Sequence, residues 1–241
     1  MKNVVKLFGI IVLVAVMAFA ACDGDGGGGG GNPNPNPNPG GSGEESLGTS
    51  TLTISNQQVY QWTPGTTVFP KYNGSGNITG NWSNLSGVSG SITGGRLSLV
   101  ASQPNQLQSL DNFFYYWEQY SNLQINPSDA RGAYLEILST DISGMSNLRK
   151  FRISSSGSVA TMVDIFYLFV DRDTTITAPE GSYQEQGNIN DLSSINLNLR
   201  QGWNALAFTI TAAMSESNVL STYSITLGND VSALWTLIHQ N

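Results

Sequence analysis

The chain has one cysteine, one histidine and ten basic residues in 241 positions. The single cysteine, Cys22, cannot close a disulfide within the chain, so a folded region must rely on its core. The single histidine, His239, lies at the C-terminal end and reads as an exposed or edge residue. Ser-His-Asp and Cys-His catalysis would have no base except that terminal ring. The same shortage excludes structural zinc, which needs a full set of His and Cys ligands. No Walker loop occurs, and Gly74-Ser75-Gly76 neither completes a dinucleotide fingerprint nor precedes a helix. No cofactor is expected. Positive charge is scarce as well. Beyond residue 21, eight basic residues face seventeen acidic ones, a net charge near −9. That balance argues against nucleic acid or an anionic membrane surface as a partner.

What is present begins with an address. Lys2 and Lys6 give a positive start, Leu7 to Ala18 forms an apolar run, and Ala20 and Ala21 are small. Residues 1–21 thus have the anatomy of a secretory signal peptide, too short for an ordinary membrane span. The tetrad Phe19-Ala20-Ala21-Cys22 resembles the lipobox of bacterial lipoproteins. Phe19 stands where most lipoboxes carry Leu, Val or Ile, and a relaxed position of that kind looks like spirochaete lipoproteins. The resemblance implies cleavage before Cys22, lipidation of its thiol and acylation of the new N-terminus, with palmitate as a fitting chain. It also implies a membrane partner through the lipid anchor, at the outer membrane or cell surface rather than the inner membrane. Several acyl chains, each burying methylenes at about 0.8 kcal/mol, exceed what stable anchoring requires.

Residues 22–46 read as a tether. Gly26 to Gly31 is a glycine run, four Asn-Pro pairs fill Asn32 to Pro39, and Gly40-Gly41-Ser42-Gly43 follows. Glycine tracts are flexible coils, whereas Asn-Pro repeats favour extended polyproline II at about 3.1 Å per residue. Residues 47–241 are expected to form one domain, long enough to bury a sizeable core.

The pattern along that domain is strand, turn, strand. Thr51 to Ser55 and Gln58 to Trp62 alternate, and Ser91 to Thr93 and Arg96 to Val100 flank a Gly94-Gly95 hairpin turn. Ala133 to Ser139 alternates as well. Leu148 to Ile153 sets Phe151 and Ile153 against Lys150 and Arg152, which predicts a half-exposed strand. Val159 to Val170 is apolar on both alternations and should be central, covered on both sides. Ile195 to Leu199 points Ile195, Leu197 and Leu199 inward, and Trp203 to Thr211 and Thr222 to Leu227 continue the series. Gln106 to Tyr120 fits either a short helix or a loop and strand pair. Val231 to His239 fits either period, and Gly228-Asn229-Asp230 before it reads as a hairpin turn, favouring a strand. Regular turns favour an all-β fold, an antiparallel β-sandwich or jelly roll. The segment Phe166 to Phe208, with Tyr167 to Asp173 and the Gly-Trp-Asn turn in Asn198 to Asn204, resembles uncharacterised secreted lipoproteins of spirochaetes. No activity comes with that resemblance.

Chemistry-bearing residues are few. Asp164 interrupts an apolar strand, and an unpaired buried charge is costly. Glu118, Glu136 or Asp171 could pair with it for hydrolysis, or an arginine such as Arg152 could neutralise it. Asp171 and Asp173 end the same strand, where calcium ligation or ordinary turn capping would each suit them, as for Asp191 in a later loop. Phe113 to Trp117 with Tyr120 sets six rings in eight positions. Tyr116, Trp117 and Tyr120 could stack on a ligand, or the segment could plug one end of the sandwich. Asn81-Trp82-Ser83-Asn84 offers Trp82 as a second platform with Asn81 and Asn84 as amide partners. Trp62, Trp203 and Trp235 fall on strand patterns and read as core. The favoured expectation is a lipid-anchored, non-enzymatic domain binding a glycan or an envelope protein. A carbohydrate-active hydrolase or lyase working near Asp164 is the alternative, and a purely structural envelope role is a third.

Overall fold

Residues that alternate in burial with period two, broken by glycine and asparagine turns, build most of the described residues into strands. The computed structural model describes residues 44–239, except 67, 82, 84, 186–187, 215–218, 229 and 231. Residues 1–43, among them Cys22 and the Gly and Asn-Pro tract, and Trp82 and Asn84 lie outside the described residues.

The first group of strands is β1 (Glu44–Glu45), β2 (Leu52–Trp62), β3 (Gly76–Asn81), β4 (Val88–Thr93) and β5 (Arg96–Ala101). A second group comprises β6 (Gln108–Ser109), β7 (Gln124–Asn126), β8 (Arg131–Leu135), β9 (Leu138–Thr140), β10 (Met145–Ser156) and β11 (Val159–Val170). The third contains β12 (Thr174–Ala178), β13 (Gly181–Glu185), β14 (Asn188–Leu192) and β15 (Ile195–Leu199). The last is β16 (Gly202–Met214), β17 (Val219–Leu227) and β18 (Leu234–His239). The ambiguous stretch before Tyr120 resolves into β6, a 3-10 turn at Leu110–Phe113 and a short helix at Tyr115–Tyr120.

The fold is an all-β sandwich-like domain. Hydrogen-bonded neighbours run β2-β5-β4-β3-β9-β10, and β18 pairs with both β10 and β2, so the path returns on itself. From β10 the sheet continues outward through β11, β16, β17, β14 and β13. A separate sheet, β15-β12-β7, covers part of its second face. Pairing is mostly antiparallel, with β2 and β18 and also β14 and β17 running parallel.

Both faces of β11 are therefore covered, as its doubly apolar sequence predicts. Val163, Ile165, Tyr167 and Phe169 join Trp203, Trp235, Leu97 and Leu148 in one core. Leu168 and Val170 join Ile176, Leu197, Leu199, Phe114 and Trp117 in a second. Each such large side chain contributes about 1.5–3 kcal/mol on burial, enough to hold the layers without disulfides. The Gly94-Gly95 turn is a tight hairpin with Thr93 opposite Arg96, and both glycines take positive φ, at 54° and 76°. The two alternations seen before Trp62 are one strand, β2, with its register shifted between Ile54 and Gln57, where Asn56 adopts φ 55°.

Two expectations need correction. β10 is not half-exposed at its centre, because Arg149 and Lys150 are both buried. The C-terminal segment is a strand, but not the partner of a hairpin with β17. It crosses to β10 and β2, and that non-local pairing left no mark in the local pattern.

Candidate functional site

Asp164 sits where the central sheet forks. β11 pairs with β10 up to Ile165 and with β8 from Tyr167 onward, while β10 pairs with β9 at Leu148 and with β11 from Lys150. The chain between β8 and β9 passes through that fork and carries Glu136. Arg149 lies beside it on β10 and binds both acids, Glu136 Oε1 at 2.9 Å and Asp164 Oδ2 in direct contact. An arginine does neutralise Asp164, but it is Arg149; Arg152, offered as an example of such a partner, pairs with Asp230 at 2.8 Å. One guanidinium cannot neutralise two carboxylates in so dry a place. Burial raises the pKa of both, and Glu136 reaches about 7 against the pull of Arg149. The two carboxyls hydrogen-bond each other, so one shared proton leaves the cluster electrically neutral. At 2% exposure, Asp164 offers no carboxylate to a substrate in solution.

A second interior charge was not anticipated. Lys150, on the opposite face of β10, meets Glu45 Oε1 at 2.6 Å, and Tyr167 donates its hydroxyl to Glu45 Oε2 at 3.1 Å. The Lys150 ammonium also lies 6.0 Å from the Trp235 ring centroid. Burial lowers the Lys150 pKa, with Glu45 opposing the shift. Glu45 had been assigned to the tether, yet its carboxylate is part of the core.

Asp171 and Asp173 act as turn caps. Asp171 accepts from the Arg131 backbone N–H at 3.1 Å and pairs with Arg172, and Asp173 accepts from the Gln201 N–H at 2.8 Å. Among the described residues no group of His, Cys, Asp and Glu is placed to hold a metal ion.

The aromatic segment divides by helix face. Trp117 is 3% exposed and donates Nε1–H to the Ser193 carbonyl at 2.7 Å, so it anchors the helix and offers no ring to a ligand. Phe114 is buried beside it. Tyr116 and Tyr120, one turn apart, point the other way and meet Tyr183 of β13. Tyr183 stacks on Tyr120 at 4.5 Å with an interplanar angle of 11°, and on Tyr116 at 5.3 Å and 22°. Tyr115 closes edge-on against Tyr116 at 5.6 Å. The helix can lie this close because β13 begins with Gly181, where a Cβ would collide with the Tyr120 carbonyl.

Behind the ladder, the hydroxyls of Tyr183 and Tyr223 hydrogen-bond, and Tyr223 donates to Asn190 Oδ1 at 3.2 Å. Burial, reinforced by nearby Glu185, raises Tyr116 to about 12 and raises Tyr183 and Tyr223 as well. All three therefore remain neutral donors at neutral pH. Tyr120 is 39% exposed and forms the open end of the stack. Sequence reasoning found Tyr116 and Tyr120 and missed Tyr183, whose signal was its inward alternation in Ser182-Tyr183-Gln184.

A shallow depression of about 510 Å³ lies beside the start of β13, lined by Glu180, Ser182, Asp191, Ser193 and Thr222 among others. Ser182, Asp191 and Thr222 are in register across β13, β14 and β17, on the face opposite Tyr183. At the other proposed platform, Asn81 turns inward. Its amide holds a loop by donating to the Leu85 carbonyl at 3.0 Å and accepting from the Leu85 N–H at 2.9 Å. Its Oδ1 also accepts from Ser83 Oγ at 2.8 Å, so the side chain is held largely by its own segment. No family model, curated protein or solved structure matches this chain.

Proposed function

We propose that this chain is a lipid-anchored protein of a bacterial cell envelope whose β-domain is a non-enzymatic binding module for glycans. The observation that carries the binding half is the Tyr116–Tyr183–Tyr120 ladder, with Tyr120 open to solvent at its end. Planar rings with polar edges suit the apolar faces and hydroxyls of sugars. The anchoring half rests on the leader and on Cys22 within a lipobox-like tetrad. The hydrolase or lyase reading requires a carboxylate open to substrate, and Asp164 is instead enclosed with Arg149.

Glycan-array binding by the full-length, detergent-solubilised chain tests the first half. Tyr183→Ala and Tyr120→Ala should each weaken binding roughly tenfold, equivalent to ~1.4 kcal/mol. Unchanged binding in both variants overturns the platform. Radiolabelled palmitate should mark the wild-type chain and not Cys22→Ser, and equal labelling of the two overturns the anchor.

A further inference from the structure

The elements that build the ladder contain no positive charge. No Lys or Arg occurs in residues 97–130, 173–199 or 201–241, which supply the helix, β13, β14 and β17. The same elements carry acids. Glu185 follows Tyr183 by two residues on β13, so both project from one face of the strand. It is exposed and forms no ion pair among the described residues. Its charge is felt by Tyr116, Tyr183 and Tyr223 together, which places it at the rim of the stack. Glu118 lies on the helix between Tyr116 and Tyr120 in sequence and is exposed too.

Aromatic faces carry the negative end of a ring quadrupole and attract organic cations. A carboxylate at the rim of three such rings adds a directed ion-pair partner, and no Lys or Arg lies on the helix or strands that build the stack. An anionic sugar, bearing a uronate, sulfate or phosphate, would meet repulsion at the same place. We propose that the ligand of the ladder is a cationic glycan, a polysaccharide whose amino sugars carry free ammonium groups. The sugar face lies on the open side of Tyr120, which Tyr183 backs, and one ammonium sits against Glu185. This inference rests on the glycan reading above and names the class of sugar.

Calorimetric titration of the full-length, detergent-solubilised chain provides the test. The probes are glucosamine oligomers, N-acetylglucosamine oligomers of equal length, and a lysine-rich peptide. The free-amine oligomer should bind about tenfold more tightly than the acetylated one, from cation–π and ion-pair contributions together. Raising the salt concentration should narrow that gap. Glu185→Gln should remove most of the free-amine oligomer's advantage, leaving only the cation–π share, and its exposed position makes loss of folding a poor explanation. Equal binding of both oligomers, or a preference undiminished by Glu185→Gln, overturns the cationic assignment while leaving the glycan reading intact. Binding of neither oligomer, or binding of both that ignores Tyr183→Ala, overturns the glycan reading and this inference with it. A lysine-rich peptide that outcompetes the free-amine oligomer replaces the sugar by a cationic peptide and overturns the proposal.

Discussion

Two regions of this molecule gather polar groups, and they treat charge in opposite ways. At the fork between β8, β10 and β11, Glu136, Arg149 and Asp164 are enclosed and bind one another. At the tyrosine ladder, the polar groups stand at a surface and Glu185 faces water beside rings. The fork spends its hydrogen-bonding capacity inward, on the place where two strands part and the ladder of backbone bonds is interrupted. The ladder keeps capacity in reserve, because its tyrosines remain neutral and Glu185 forms no ion pair among the described residues. A charge inside an apolar strand is thus a sign of internal compensation in this fold, whereas a cluster of rings with one solvated acid is the better sign of a ligand.

The contrast can be broken most forcefully at Arg149. Arg149→Met should cost about 3–5 kcal/mol in urea unfolding, because it strands two buried carboxyls. Adding Asp164→Leu and Glu136→Gln to it should recover most of that loss, and failure to recover would mean that Arg149 does more than compensate charge. Glu45→Ala should cost less, about 1–3 kcal/mol, by removing the carboxylate that receives both Lys150 and Tyr167. A fragment starting at residue 47 should show the same deficit, and one starting at residue 44 should not.

A subtler effect should appear in pH dependence. Glu136 has a folded pKa of about 7, above its ordinary value of 4.5, so the folded state holds the extra proton between those limits. Its contribution to stability is therefore full below about pH 4.5 and is lost as the pH rises through about 7. Glu136→Gln should flatten the fall in stability across that window, by at most about 1.4 kcal/mol per pH unit. A slope identical to wild type would show that Glu136 is not the group holding the proton. The smallest stability effect belongs to the ladder, where Tyr120→Ala should change unfolding by less than about 1 kcal/mol while weakening glycan binding. A large stability loss there would make the rings part of the core after all.

Much of the fold was legible because its strands are long and strongly patterned. β11 announces its central position through apolar residues on both alternations, and Gly94-Gly95 announces its hairpin through the positive φ that the turn demands. What escaped was non-local. Arg149 shares the apolar alternation of Phe151 and Ile153, but nothing local names Asp164 as its partner, which the fork of β8, β9, β10 and β11 supplies. β18 finds β2, far away in sequence, and a Gly-Asn-Asp stretch before it looked like an ordinary hairpin. The candidate site was half legible for the same reason. Tyr116 and Tyr120 belong to a conspicuous run, but Tyr183 joins them from β13 across the fold.

The position of β1 has a mechanical consequence. A pull on the N-terminal side of the chain enters the domain at Glu44–Glu45, which lie against Ser55 and Ile54 of β2. The load falls first on a two-residue outer strand, but that strand is tied to the interior by Glu45. It is handed through Glu45 to Lys150 on β10 and through the backbone to β2, two members of the same closed circuit of strands. Tension is thereby shared around that circuit, and the tyrosine ladder, on the far extension of the sheet, lies off the line of force.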